Sequence, residues 1–237
     1  MYLELIIWTI IGAFILLLVT TCLLEKLHIH DFVPAPGGEP LTDSSYFSAM
    51  NDAARRLGFK AAGVFIQKRN SRVYQAQVAL WLSPERDILL QVGGGKTTGV
   101  YIKRTILSSI VESDQIIQTQ DDFGMADLSG LTHRKVLVNA DLDELLACHR
   151  ERLAPYLGQK RSFSIGTAFA DWESIRVMKA EQMARMGLAK FLNREQTIYR
   201  HTLKGAWLQY YRGFRSQLAE GKDQVERISK RRPGSTK

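Results

Sequence analysis

The chain has 237 residues and carries 32 Lys+Arg against 24 Asp+Glu, a net charge of +8 with neutral histidines. Hydrophobic residues make up 45% and charged residues 24%, near the averages of folded proteins, which excludes a disordered or fibrous chain. Two cysteines, Cys22 and Cys148, exclude a disulfide scaffold.

Apolarity and charge are spread unevenly. Leu5 to Leu24 read LIIWTIIGAFILLLVTTCLL, 20 residues without a charge. A helix of that length is ~30 Å long and matches the hydrocarbon core of a bilayer. The composition therefore predicts a single transmembrane helix, in an anchor over residues 1–27. A cleaved signal peptide would start with basic residues and have a shorter apolar run. Here the start holds Glu4 and no Lys or Arg. Lys26 follows the span, and the positive-inside tendency then places the rest of the chain in the cytoplasm.

Residues 28–42 read as a linker, because VPAPGGEP at 33–40 holds three prolines and two glycines. His28, His30 and Asp31 lie in it and read as polar residues next to the anchor.

Residues 43–155 are expected to form one α+β domain in the order helix, antiparallel meander of about six strands, helix. Phe47, Met50, Ala54 and Leu57 recur at helical steps over 43–58. Residues 72–82, RVYQAQVALWL, alternate with a period of two, and Gln75 and Gln77 mark a wet face. Further strands are expected at 61–68, 87–92, 99–107, 114–119 and 134–138. Asp141 and Glu144 make a capping box ahead of a helix at 141–153, and Pro155 stops it.

Three motifs point towards catalysis and fall short. Gly95-Lys96-Thr97 resembles the end of a phosphate loop, but position 90 is Leu90 where that pattern needs glycine. The glycines at 93–95 fit a hairpin connection instead. Asp121, Asp122, Asp127 and His133 cluster between 121 and 133 without calcium-loop spacing. Cys148 and His149 are adjacent, and neighbours on a helix point about 100° apart. No catalytic residue, metal ligand or cofactor is assigned. The competing expectation is a tethered enzyme with a site in loop 93–98 or loop 121–133.

Residues 160–237 hold 17 Lys+Arg and 7 Asp+Glu, whereas residues 1–159 hold 15 and 17. This tail is rich in helix formers. It predicts a basic α-helical extension, with helices near 167–192 and 195–220, a break at Asn193 and a disordered tip. Tyr199, Leu203, Trp207 (with Ala206), Tyr210, Phe214 and Leu218 step by three or four. Arg200, Lys204, Arg212 and Arg215 lie mainly off that stripe. Such a face suits an anionic lipid surface, a protein partner or nucleic acid, the last less well. The expectation is a single-pass binding or scaffolding protein. Its anionic partner would be held by Arg200, Lys204, Trp207, Tyr210, Arg212 and Arg215. A further alternative is an assembly subunit of a membrane complex.

Overall fold

The computed structural model describes residues 2–35, 45–68, 74–97, 100–122, 127–156, 158–212 and 215. In chain order these form α1 (Tyr2–Leu24), β1 (Leu27–His28), β2 (Phe32–Pro34), α2 (Ser45–Arg56), β3 (Lys60–Gln67), β4 (Tyr74–Leu82) and β5 (Leu89–Thr97). There follow β6 (Val100–Val111), β7 (Gln115–Gln120), β8 (Thr132–Val136), α3 (Leu142–Leu153), α4 (Ala168–Arg185), β9 (Ala189–Phe191) and β10 (Ile198–His201). A last helix, α5, covers 203–212. The chain divides into two compact units, Met1–Ile29 with Met125–Gly130 and Arg176–Lys237, and His30–Gly124 with Leu131–Ile175.

The larger unit, His30–Gly124 with Leu131–Ile175, is built on a seven-stranded sheet in the order β2-β3-β4-β5-β6-β7-β8. Its alternating side chains feed two cores. Ala79, Trp81, Leu90, Val92 and Leu107 pack with Phe47 and Ala54 of α2 and with Leu142, Leu145 and Leu146 of α3. Val78, Leu80, Leu82, Leu89 and Ile110 pack on the other face with Phe163, Ala168, Trp172 and Ile175. Trp172 donates its indole N–H to Gln91 Oε1 at 2.9 Å, so its polar edge is satisfied inside the core. Asp141 caps α3 by accepting the Glu144 N–H at 2.8 Å.

The smaller unit holds a three-stranded antiparallel sheet, β1-β10-β9. Asn193 Oδ1 accepts the N–H groups of Thr197 (3.1 Å) and Ile198 (2.9 Å), which folds β9 back onto β10. Leu128, Met183, Leu188 and Ala189 form its core, with Tyr199 and Leu208 packed against them.

The structure corrects several expectations. Among the described residues no helix is long and apolar enough to cross a membrane. The described residues of α1 include the polar Glu4, Thr9, Thr20 and Thr21 beside the exposed Ile6, Trp8, Leu16, Leu17 and Leu24, and Val19 is buried. α1 also contacts β10. The expected transmembrane helix, the single-pass membrane localisation and the cytoplasmic orientation derived from it therefore do not stand. Nor is the sheet a six-stranded antiparallel meander. It has a seventh strand at β2, and β7 pairs with β8 in parallel. The long connection after Gln120 permits that, since parallel neighbours need a crossover rather than a tight turn. The strand at 74–82 has no wet face over residues 78–82, because Ala79 and Trp81 lie under α2 and α3. The tail is not wholly helical either. Residues 189–191 and 198–201 are strands, because β-favouring Phe191, Ile198 and Tyr199 pair in the small sheet. The proline- and glycine-rich segment 36–44 and the tip 216–237 lie outside the described residues.

Candidate functional site

The sequence directs attention to three places, and the structure treats each differently. Gly93, Gly94, Gly95 and Lys96 are not a loop. They lie within β5, paired with Val78, Gln77, Ala76 and Gln75 on β4 and with Arg104, Lys103, Ile102 and Tyr101 on β6. Their backbone groups are committed to the sheet and do not cradle a phosphate. A Cβ on Gly93 would lie 3.1 Å from the Gln77 carbonyl and 3.2 Å from Val78, so the bare backbone serves strand packing.

The acidic residues of 121–133 are dispersed. Asp121 accepts the Tyr46 hydroxyl and the Thr105 N–H (2.7 Å), and Tyr46 also lies 2.6 Å from Thr105 Oγ1. Burial, before any other cause, pushes the Asp121 carboxyl above its ordinary range, and it pushes the Tyr46 phenol up as well. Both oxygens of Asp122 receive Arg104 Nε at 2.9 Å. Asp127 accepts from Ser129 and pairs with Lys179 at 2.8 Å. His133 bonds Gln115 at 2.8 Å. Among the described residues no group of three or more His, Cys, Asp or Glu could hold a metal ion.

His149 is paired in a way that opposes catalysis. Ser109 Oγ donates to the Asp87 carbonyl at 2.6 Å, so it can only accept from His149 Nε2, 3.1 Å away. That places the imidazole proton on Nε2, and Nδ1 accepts from Thr119 Oγ1 at 3.0 Å. Thr119 in turn accepts from Arg152 Nη1 at 3.0 Å. A serine activated as a nucleophile needs the reverse, with its own proton on the imidazole. Ser109, Thr119 and His149 are all 0% exposed, so no substrate reaches them.

The third place is the basic tail, where α5 presents a surface. Thr202 starts the helix: its hydroxyl accepts the Gly205 N–H at 3.2 Å and donates to the Gly187 carbonyl at 2.8 Å. Gly205, Ala206 and Gln209 face inward and are buried. Leu203, Trp207 and Tyr211 follow at steps of four on the opposite side and are 67%, 51% and 46% exposed. At 100° per residue, Lys204 lies about 60°, Arg215 about 80° and Arg212 about 140° from Trp207, all on one flank. All three cations are exposed. The Arg215 guanidinium sits over the Tyr211 ring, 5.8 Å from its centroid. That contact is a cation–π pair, which holds charge and ring together.

Of the six residues singled out from sequence, Lys204, Trp207 and Arg215 share this face, while Arg212 is exposed but lies about 140° round the helix, towards the inward side. Tyr210 is half-buried on the other flank of the stripe. Arg200 is not on the helix at all. It lies on β10 opposite Lys190, which adds basic charge to the small sheet. Phe214 and Leu218 lie outside the described residues. The sequence stripe omits Tyr211 because it takes its phase from Tyr199, a strand residue whose ring packs near Phe191 and His201. Phased from Leu203, steps of four reach Trp207 and Tyr211, and Ala206 falls on the inward side.

No protein-family model matches the chain, and no curated protein or solved structure matches it either.

Proposed function

We propose that the chain is a binding protein that holds an anionic partner against the outer face of α5, rather than an enzyme. The observation that carries this reading is the exposed Leu203–Trp207–Tyr211 stripe with Lys204, Arg212 and Arg215 along one flank. Rings and aliphatic surface left in water cost free energy, at about 25 cal/mol per Å², that a partner would recover. The surrounding sequence strengthens the charge argument. From 196 to 219 there are four cations, Arg200, Lys204, Arg212 and Arg215, and no Asp or Glu. Nothing acidic on this segment would repel an anionic partner.

Retention on immobilised heparin, a sulfated polyanion, tests this reading. The triple variant Lys204→Glu, Arg212→Glu, Arg215→Glu should elute from it at clearly lower salt than the parent chain. A control with the same charge change elsewhere, Lys60→Glu, Arg86→Glu, Arg150→Glu, replaces exposed residues of the larger unit and should elute nearer the parent. Equal loss in the two triples would mean that only net charge matters, and the reading would fail.

A further inference from the structure

We infer that the anionic partner of α5 is a phospholipid surface on which the helix lies along the headgroup plane; this rests on the binding role proposed above and specifies its partner. Leu203 is the first reason. At 67% it is the most exposed member of the stripe, and an aliphatic side chain gains nothing from phosphate contact or base stacking. It gains from entering an apolar layer. Trp207 and Tyr211 come next. Each combines an apolar body with one polar edge, the combination that settles at a lipid–water boundary.

The cations complete the match. Lys204 and Arg215 lie about 60° and 80° from the centre of the stripe. With the stripe turned towards acyl chains, their charged ends sit at the depth of the phosphates, and their stems run along the apolar boundary. Nucleic acid fits less well. Binding a single strand needs a basic groove that tracks the backbone together with successive stacking platforms. Here the described cations occupy one flank only, and the first platform position is a leucine. Finally, the face is pre-set. Gly205, Ala206 and Gln209 are buried on the opposite side, so the helix need not fold on binding, unlike a disordered basic segment.

The test uses the full chain with three probes: vesicles of phosphatidylcholine, vesicles with 30% phosphatidylserine, and a single-stranded RNA 12-mer. Because α1 also exposes Ile6, Trp8, Leu16 and Leu17, the neutral vesicles measure whatever that helix contributes. Lys204 and Arg215, the two cations at phosphate depth, should together give roughly 30-fold tighter binding to the anionic vesicles than to the neutral ones in low salt. The preference should vanish in 1 M salt and in the Lys204→Glu, Arg212→Glu, Arg215→Glu chain. Brominated acyl chains should quench the parent more than Trp207→Phe, which places that indole in the acyl boundary. Equal binding to both vesicle types, equal quenching in the two chains, or tighter binding to RNA than to anionic vesicles would each overturn the lipid inference. Heparin retention that depends on the α5 cations would then still leave the binding role in place. Loss of binding to heparin, RNA and vesicles alike would remove both.

Discussion

Replacing Gly205 with alanine should lift α5 off the small unit and cost roughly 3 kcal/mol of its stability, the upper end for overpacking a tight contact. A Cβ at this position would lie 1.8 Å from the Leu188 carbonyl oxygen and 2.8 Å from its carbon. Both are backbone atoms, so no side-chain rotation relieves the contact. The same backbone is already engaged: Thr202 N–H donates to Leu188 O at 3.0 Å, and Leu188 N–H donates to Met183 O at 2.8 Å. Moving α5 outward would strain the first of these and disturb the cluster of Leu128, Met183, Leu188 and Leu208. Amide exchange of residues 203–212, measured with the denaturant midpoint, reads this directly. Exchange should accelerate across the helix in Gly205→Ala. Unchanged protection would mean that α5 does not pack on Leu188 as described. An outward change, Lys204→Ala, should leave both readouts within about 0.5 kcal/mol, as surface substitutions do.

Acid should destabilise the larger unit through His149. Burial first, and then the neighbouring Arg152 charge, pull its imidazole down to about 3, against about 6.5 for an exposed histidine. Between those values the unfolded chain binds a proton that the folded chain does not. The stabilising contribution is therefore complete above about pH 6.5 and is lost as pH falls towards 3, at about 1.4 kcal/mol per pH unit. Asp121 acts in the opposite sense. Its raised carboxyl pKa makes the folded form the better proton acceptor, so its contribution is present at low pH and lost as pH rises through its folded value. A variant isolates the histidine. His149→Gln keeps an amide donor for Ser109 and cannot be charged. Between pH 6.5 and 4.5, urea unfolding of the parent should lose about 2.5 kcal/mol more than the variant loses. Parallel pH profiles would show that His149 does not set the acid limit.

The parts of this fold that were legible in sequence are those where one periodicity runs long enough to dominate. The stripe from Phe47 to Leu57 marks α2, and Asp141 with Glu144 marks the start of α3. The alternation that sets Gln75 and Gln77 against their apolar neighbours marks β4. The parts that were not legible depend on partners distant in the chain. β2 is three residues ending in Pro34, acceptable only because it is an edge strand against β3. β9 and β10 sit in sequence that favours helices, and they become strands because Asn193 folds them together and β1 supplies a third strand. Local propensity is a weak guide where tertiary pairing decides. The parallel β7–β8 pair leaves no mark on either strand alone. The amino-terminal segment is a different case. Its composition reports how apolar it is, whereas its contact with β10 depends on residues far along the chain.

The candidate surface was half legible for the same reason. Its charge excess and aromatic content can be counted from the sequence, but its phase cannot, because Tyr199 and Arg200 belong to a strand. Once α5 is bounded at 203, three of the six residues, Lys204, Trp207 and Arg215, fall on one exposed face and Tyr211 joins them. The apparent catalytic pairs went the other way. Cys148 and His149 look suggestive as neighbours in sequence. The hydrogen bonds from Ser109 to Asp87 and from Arg152 to Thr119 instead fix His149 as a neutral core group.

The most direct measurement of the central claim is hydroxyl-radical footprinting of the full chain, with and without heparin. Leu203, Trp207 and Tyr211 are the reactive, exposed side chains of α5, and Trp81 and Trp172 are 3% and 8% exposed internal references. Heparin should lower oxidation of Trp207 and Tyr211 several-fold while leaving both references unchanged. Protection that appeared elsewhere and left Trp207 and Tyr211 fully reactive would contradict the assignment of α5 as the binding face.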